Sequence, residues 1–481
     1  KYARVHQIVA SNHSQLIAYA ACHNYIGGDY KPYIYKTNDG GKNWVSINGN
    51  LPEKGSTYSI AEDHVEEALL FIGTQFGVFF SNNGGEEWIP LKSGIPTHSV
   101  MDLEIQRDEN DLVVSTFGRG VYILDDYTPL RNLIEKNIKK KAIIFPIKDA
   151  LMFIEAQRYN YGTVGFQGAS FYAAPNPEIG ATFTYFIKEE HKTLKQKRRD
   201  DEKELVKEGK EIKYPSYETL LKEGEEPNAY LLFTITDESG NVVRKMKKEI
   251  CKGVNRIVWD FRYSPITPVS LETIDYSHPY ITPDKGYMVV PGKYYVSLTK
   301  FESGTFSELV PPQEFLCKRL NNSSIPPALD QFNKKVAELT RAIYGADSYR
   351  KEINDNLSYL KKAVLDGADV PNETYNEIVK IEQKLKSLNN ELNGDNLRTK
   401  YDGARPTSIK ERVDLIMSAL WSTTAAPTNT FIKSYDEAAG KFDAVLFSLK
   451  SVNEEIMHVE TILETSGAPF TPGRFPEWRK N

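Results

Sequence analysis

The chain has 481 residues, 26% of them charged, and its net charge of -5 is spread along the length, which gives no footprint for a nucleic-acid partner. Hydrophobic residues make up 40% and aromatics 11%, enough for several cores and about three domains, yet no run is long and apolar enough for a membrane-spanning helix. Cys22, Cys251 and Cys317 are too few and too scattered for a disulfide framework or a zinc site; at most one pair could form, and they read mainly as small buried residues.

From the N-terminus, one pattern returns three times: Tyr33-Ile34-Tyr35-Lys36, Val78-Phe79-Phe80-Ser81 and Val121-Tyr122-Ile123-Leu124. Aligned on Tyr35, Phe79 and Tyr122, the copies lie 44 and 43 residues apart. In the second and third copies, a β-rich run (Leu69–Thr74, Leu112–Thr116) precedes the repeated strand, with glycine between them. In the first two copies the strand runs into a turn and a tryptophan, Asp39-Gly40-Gly41-Lys42-Asn43-Trp44 and Asn83-Gly84-Gly85-Glu86-Glu87-Trp88. The glycines supply the positive φ of a tight hairpin, and the tryptophan, three residues after the second glycine, covers the turn. Paired short strands at a period of about 40 to 50 residues predict blades of a β-propeller.

The first turn resembles an Asp-box, the BNR repeat of sialidase-like and sortilin-like propellers. The second is a degenerate copy with Asn83 in the aspartate's place. Phe117-Gly118-Arg119-Gly120 with Val121–Asp126 resembles the last-blade sequence of large bacterial secreted proteins with such propellers. This resemblance is specific over residues 1–130 and rests on domain order beyond them. Two to three blades fall short of the roughly four to eight of a closed ring, and an open stack leaves strand edges unpaired. The expectation is therefore the C-terminal part of a longer polypeptide, its other blades upstream. The resemblance implies a secreted, periplasmic or cell-surface location.

Lys136–Lys141 reads as a basic, flexible linker. From residue 142 the two-residue period returns in Ala142–Pro146, Thr182–Ile187, Tyr230–Thr236, Arg256–Phe261 and Lys293–Thr299, which predicts a sandwich over 131–325. Asp237–Arg244, Asn255–Asp260 and Val290–Val296 resemble the Ig-like fold of bacterial hook-capping proteins. A charged insertion at about 188–225 reads as a solvated helical excursion, with ten basic and eight acidic residues over Lys188–Lys213. Pro265–Pro291 is a long loop holding Tyr276, His278 and Tyr280.

Past Pro326 the period becomes helical. Leu329, Phe332, Val336, Leu339 and Ile343 share one face. Further helices run from Asn372 to Leu392, from a capping box at Ser408 and Glu411, and after Pro427 with Phe431, Tyr435, Phe442, Leu446, Leu449 and Ile456 inward. A bundle over 326–465 and an extended tail over 466–481, packed through Phe475 and Trp478, complete a multidomain chain that is mainly β and then α.

The eight histidines are dispersed, and no His-x-x-x-His, Cys-x-x-Cys, Walker loop, dinucleotide fingerprint or Gly-x-Ser-x-Gly elbow occurs, so no metal, cofactor or catalytic set is assigned. Asp39, Gly41, Trp44, Gly85 and Trp88 are structural residues of the turns. Arg119, between two glycines, is the best candidate for a ligand contact, since a guanidinium suits carboxylates. Its alternative is an ion pair with Asp125 or Asp126 that closes the last blade. Asp102 and His98, on the connection into that blade, could reach the same face. The expected function is non-catalytic binding of a protein or peptide by the propeller, as a scaffold in an envelope assembly. The competing expectation is a BNR-type glycoside hydrolase or carbohydrate-binding protein with its carboxylates on other blades.

Overall fold

Alternating apolar strands joined by glycine turns build the first quarter of the chain as three antiparallel meanders. The computed structural model describes residues 3–92, 94–153, 176–273, 275, 284–320, 327–401, 405–421, 423 and 425–476. The first sheet is β1 (Arg4–Ala10), β2 (Ala18–Asn24), β3 (Asp29–Thr37) and β4 (Val45–Ser46). The second is β5 (Thr57–Glu62), β6 (Leu70–Thr74), β7 (Gly77–Ser81) and β8 (Ile89–Leu91). The third has three described strands, β9 (Val100–Gln106), β10 (Asp111–Thr116) and β11 (Gly120–Leu124).

The sheets stack in series. Tyr19, Ile34, Ile60, Leu70, Ile72 and Trp88 form one core between the first and second. Phe71, Val78, Phe80, Leu103, Val114 and Tyr127 form the next, between the second and third. Covered on both faces, β5 and β6 have no exposed residue, whereas β1 and β11 are largely exposed. Cross-strand partners share a face. On this face of the first sheet Val5 and Ile8 of β1 are 52% and 63% exposed, while their partners Cys22 and Ala20 on β2 are buried. Val121 and Ile123 of the third are likewise exposed.

The stretch read as a flexible linker, Lys136–Lys141, begins within a short exposed helix. A 3-10 turn (Thr128–Asn132) and α1 (Glu135–Ile138) carry the chain away from β11. The turn is anchored by Leu130, buried with Tyr127 in the third sheet's core, whereas α1 has no buried residue.

Two further sheets face each other: β12 (Ala142–Ile144), β14 (Ala181–Ile187) and β17 (Gly253–Trp259) in one; β13 (Ala150–Met152), β15 (Tyr230–Asp237), β16 (Val242–Lys248), β18 (Gly292–Glu302) and β19 (Thr305–Arg319) in the other. Their shared core is aromatic, with Phe183 edge-on to Phe315, Tyr185 to Phe233 and Trp259 to Tyr294. The charged insertion holds two exposed helices, α2 (Leu194–Lys207) and α3 (Tyr217–Glu225), tied by Arg198 to Glu223. Tyr276, His278 and Tyr280 lie outside the described residues. Cys22 and Cys317 are buried free thiols; Cys251 is exposed, against the expectation, because it sits in the turn between β16 and β17.

The helical region comprises α4 (Pro327–Asp366), α5 (Asn372–Asn393), α6 (Asn396–Tyr401), α7 (Ile409–Leu420) and α8 (Asn429–Thr465). The Ser408–Glu411 capping box opens α7. Ile343 to Val364 of α4 pack with α5 and α8. The first turns of α4 instead join Tyr287, Ile416 and Trp421 in a separate cluster. The tail corrects the reading of a packed aromatic segment: Phe475 is 88% exposed, with no apolar surface over it, and Trp478 lies outside the described residues.

Candidate functional site

The three meanders share one orientation, so like turns collect at like ends. At one end lie the glycine turns. The Thr37 hydroxyl donates to Asp39 Oδ1 (2.8 Å) and accepts from the Gly41 amide (2.9 Å). Asp39 also accepts from the Asn43 backbone and side-chain amides at 2.9 and 2.7 Å. These donors, Asn43's backbone first, hold its carboxyl below the usual range. Ser81, Asn83, Gly85 and Glu87 repeat the scaffold with distances of 2.8, 2.9 and 3.0 Å. Asparagine serves because the turn needs only one accepting oxygen from that side chain. The tryptophans diverge. Trp44 Nε1 donates to Gly41 O within its own turn, and Trp88 Nε1 donates to Ile47 O of the preceding sheet's exit segment.

The same end holds a carboxylate pair that pattern reasoning missed. Glu62 accepts from the Tyr19 hydroxyl (2.8 Å), the Ser11 hydroxyl (2.9 Å) and the Asn12 amide (2.6 Å) of the first meander. Asp63 receives Arg131 through Nε and Nη2 at 2.7 and 2.8 Å and the Tyr127 hydroxyl at 2.6 Å. Burial alone would raise the Asp63 carboxyl, but these donors outweigh it and hold it low. One dipeptide thus fastens the first meander to the second and the second to the segment after the third. Both carboxylates are fully engaged as acceptors, an arrangement for cohesion rather than acid–base work.

The opposite end is built differently. Its hairpin tips are Tyr25–Gly27, Gln75-Phe76 and Phe117-Gly118-Arg119. Each presents an exposed ring: Tyr25 at 41%, Phe76 at 50% and Phe117 at 69%. The second and third tips are tied together through Gln75 N to Ser56 O (2.8 Å), the Ser99 hydroxyl to Gln75 O (3.2 Å) and Phe117 N to Ser99 O (2.9 Å). The bond to Ser99 sets His98, half-buried, beside the turn that carries Arg119. Arg119 is exposed and makes no ion pair among the described residues. The alternative of a pair with Asp125 or Asp126 fails on geometry, because all of β11 separates Arg119 from them. Asp126 instead accepts from Thr128, and its carbonyl from Arg256.

Asp102 is also exposed, near the start of β9. Opposite Ser115 on β9, it accepts from Gln7 Nε2 at 3.2 Å and caps its neighbour's amide. Gln7 Oε1 meanwhile accepts the Ile60 amide at 2.8 Å, satisfying an N–H that β5 leaves unpaired. One side chain of β1 therefore ties the inner strands of all three sheets. At the first meander's tip, His6, His23, Tyr25 and Tyr58 form a ring cluster with centroids 4.7–5.6 Å apart. His23 is buried there with Nδ1 lacking a partner, and burial depresses its pKa, helped by His6 and Arg4. No group of metal-holding side chains occurs among the described residues, and no helix among them is long and apolar enough to cross a membrane.

No protein-family model matches the chain. No curated protein matches it either. Among solved structures, the extracellular domain of a protein assigned as a one-component system of B. thetaiotaomicron aligns at 10% identity and TM-score 0.19, over 66% of this chain and 31% of that one. An ancestral GH74 enzyme aligns at 11% identity and TM-score 0.21, over 62% of this chain and 32% of the other. The chain thus spans about a third of the length of each. At these TM-scores neither likeness bears on the fold or the chemistry of this chain.

Proposed function

We propose that residues 1–130 are blades of a BNR-type, sortilin-like β-propeller, and that the protein is a non-catalytic secreted or envelope protein binding a protein or peptide. The Ig-like sandwich (131–325), with its insertion at about 188–225, the helical bundle (326–465) and the tail (466–481) are its spacer and docking modules. The serial packing of the meanders supports the fold reading. So do the apolar residues left open on both outer faces of the row, Val5 and Ile8 on one and Val121 and Ile123 on the other. Further blades would cover them.

The observation that carries the binding reading is the end bearing Tyr25, Phe76 and Phe117, with Arg119 and His98 beside them. Exposed rings flanked by an unpaired guanidinium are the composition of binding hot spots. The buried carboxylates Glu62 and Asp63 lie at the other end and are saturated, which favours binding over hydrolysis. Gentle purification of the native protein, with mass spectrometry of co-eluting chains, tests this. The expected result is a stoichiometric protein companion that Phe117→Ala/Arg119→Ala releases. Elution alone, or a companion held equally by the double variant, would overturn the reading and bring glycan binding forward.

A further inference from the structure

A cavity of about 390 Å³ lies at the edge of the two facing sheets, under the charged insertion and far in sequence from the turns described above. Its volume falls in the range of small-molecule sites, roughly 300 to 1,000 Å³. The floor is the end of the sandwich core, where Ile187 and Leu231 are buried and Ile250 and Leu309 complete an apolar surface. The rim is ionic. Glu302 is already consumed, since it receives His191 Nδ1 at 2.8 Å and Lys300 Nζ at 2.7 Å. Lys192 is likewise held by Asp200.

Lys141, Lys188 and Lys197 also line the cavity, and none of them meets an acidic partner among the described residues. Glu189 and Glu190 are the remaining acids of the lining, so its five lysines outnumber its three glutamates. The insertion thus contributes more than a solvated face. It places cations around an apolar floor that the sandwich alone would leave open. A carboxylate, sulfate or phosphate head would find ammonium groups at the rim, and an apolar body would cover Ile250 and Leu309.

We propose that this cavity binds a small organic anion with an apolar body, held by Lys188 and Lys197. The assignment stands apart from the propeller reading and can fail alone. The test uses 8-anilinonaphthalene-1-sulfonate as the anionic probe and N-phenyl-1-naphthylamine as its neutral counterpart, titrated by fluorescence on the full chain. The expected result is one saturable site for the sulfonate. Its affinity should fall about tenfold in Lys188→Glu/Lys197→Glu and fall again with added salt. The neutral probe should not distinguish the two proteins. Both lysines are exposed, so the variant should keep the parent's circular dichroism and melting temperature. A bulky Ser307→Trp plug, built on an exposed lining residue, should remove the same site without changing charge. Absence of saturable binding, or binding that neither variant alters, would overturn the proposal.

Discussion

The two glycine turns share a backbone scaffold and part company at one ring. Both begin with a hydroxyl that donates to the Asp39 or Asn83 oxygen and accepts from Gly41 or Gly85. Yet Trp44 folds back on its own turn and stays 39% exposed, while Trp88 spans to the first sheet and is 3% exposed. The motif encodes the turn. What the tryptophan contributes depends on whether a neighbouring sheet offers it a carbonyl and a wall.

The comparison breaks most directly at the tryptophans. Trp88→Ala should cost about 4 kcal/mol, from a lost buried ring and an orphaned Ile47 carbonyl, and Trp44→Ala less than about 1 kcal/mol. Urea unfolding of the two variants measures the gap, and equal losses would refute the account.

Arg131→Ala should follow at about 3 kcal/mol, because Asp63 would be left buried without its cation. That contribution has a defined sign with pH. The Asp63 carboxyl is held low in the folded state, so its stabilisation is complete above the ordinary carboxylate pKa of about 3.9 and is lost as pH falls below it. Acid titration of unfolding should show the parent losing an increment that Arg131→Ala lacks.

Gly85→Ala should cost about 2 kcal/mol. Its φ is +96°, and an added Cβ would lie 3.0 Å from Ile47 Cβ. Gly41→Ala, at φ +89° with open space around it, should cost only the left-handed conformation, about 1 kcal/mol. Thermal melts of the pair isolate the inter-sheet contact. The smallest effect belongs to Asp39→Asn, which copies the second turn. It should be nearly neutral at pH 7 and should remove whatever acid sensitivity the first turn has, as amide exchange at Asn43 would report.

Elements with a local signal were legible in the sequence. The strands around Phe79 and Tyr122 announce themselves by alternation and glycine turns, and α7 by Ser408 and Glu411. β19 was missed because Pro311-Pro312 argue against a strand. They sit where the register with β18 shifts, at a bulge that needs no amide from them. The fastening residues were missed for a different reason. Gln7, Glu62, Asp63 and Arg131 make their cross-sheet bonds over 43 to 95 positions of sequence, and nothing in their local composition points to a partner. Asp102, exposed on β9, takes one of these long-range bonds from Gln7. Arg119 and His98 were placed at one end because the turn period fixes which loops share it.

The 40 residues of α4 make a rod of about 60 Å. Leu329 and Val336 near its start belong to the cluster with Tyr287 and Trp421, and Ile343 through Val364 belong to the bundle. One continuous helix therefore threads two separate cores. Its early turns are held by Tyr287 and Trp421 and its later turns by α5 and α8, so each core fixes the direction in which the same rod leaves the other.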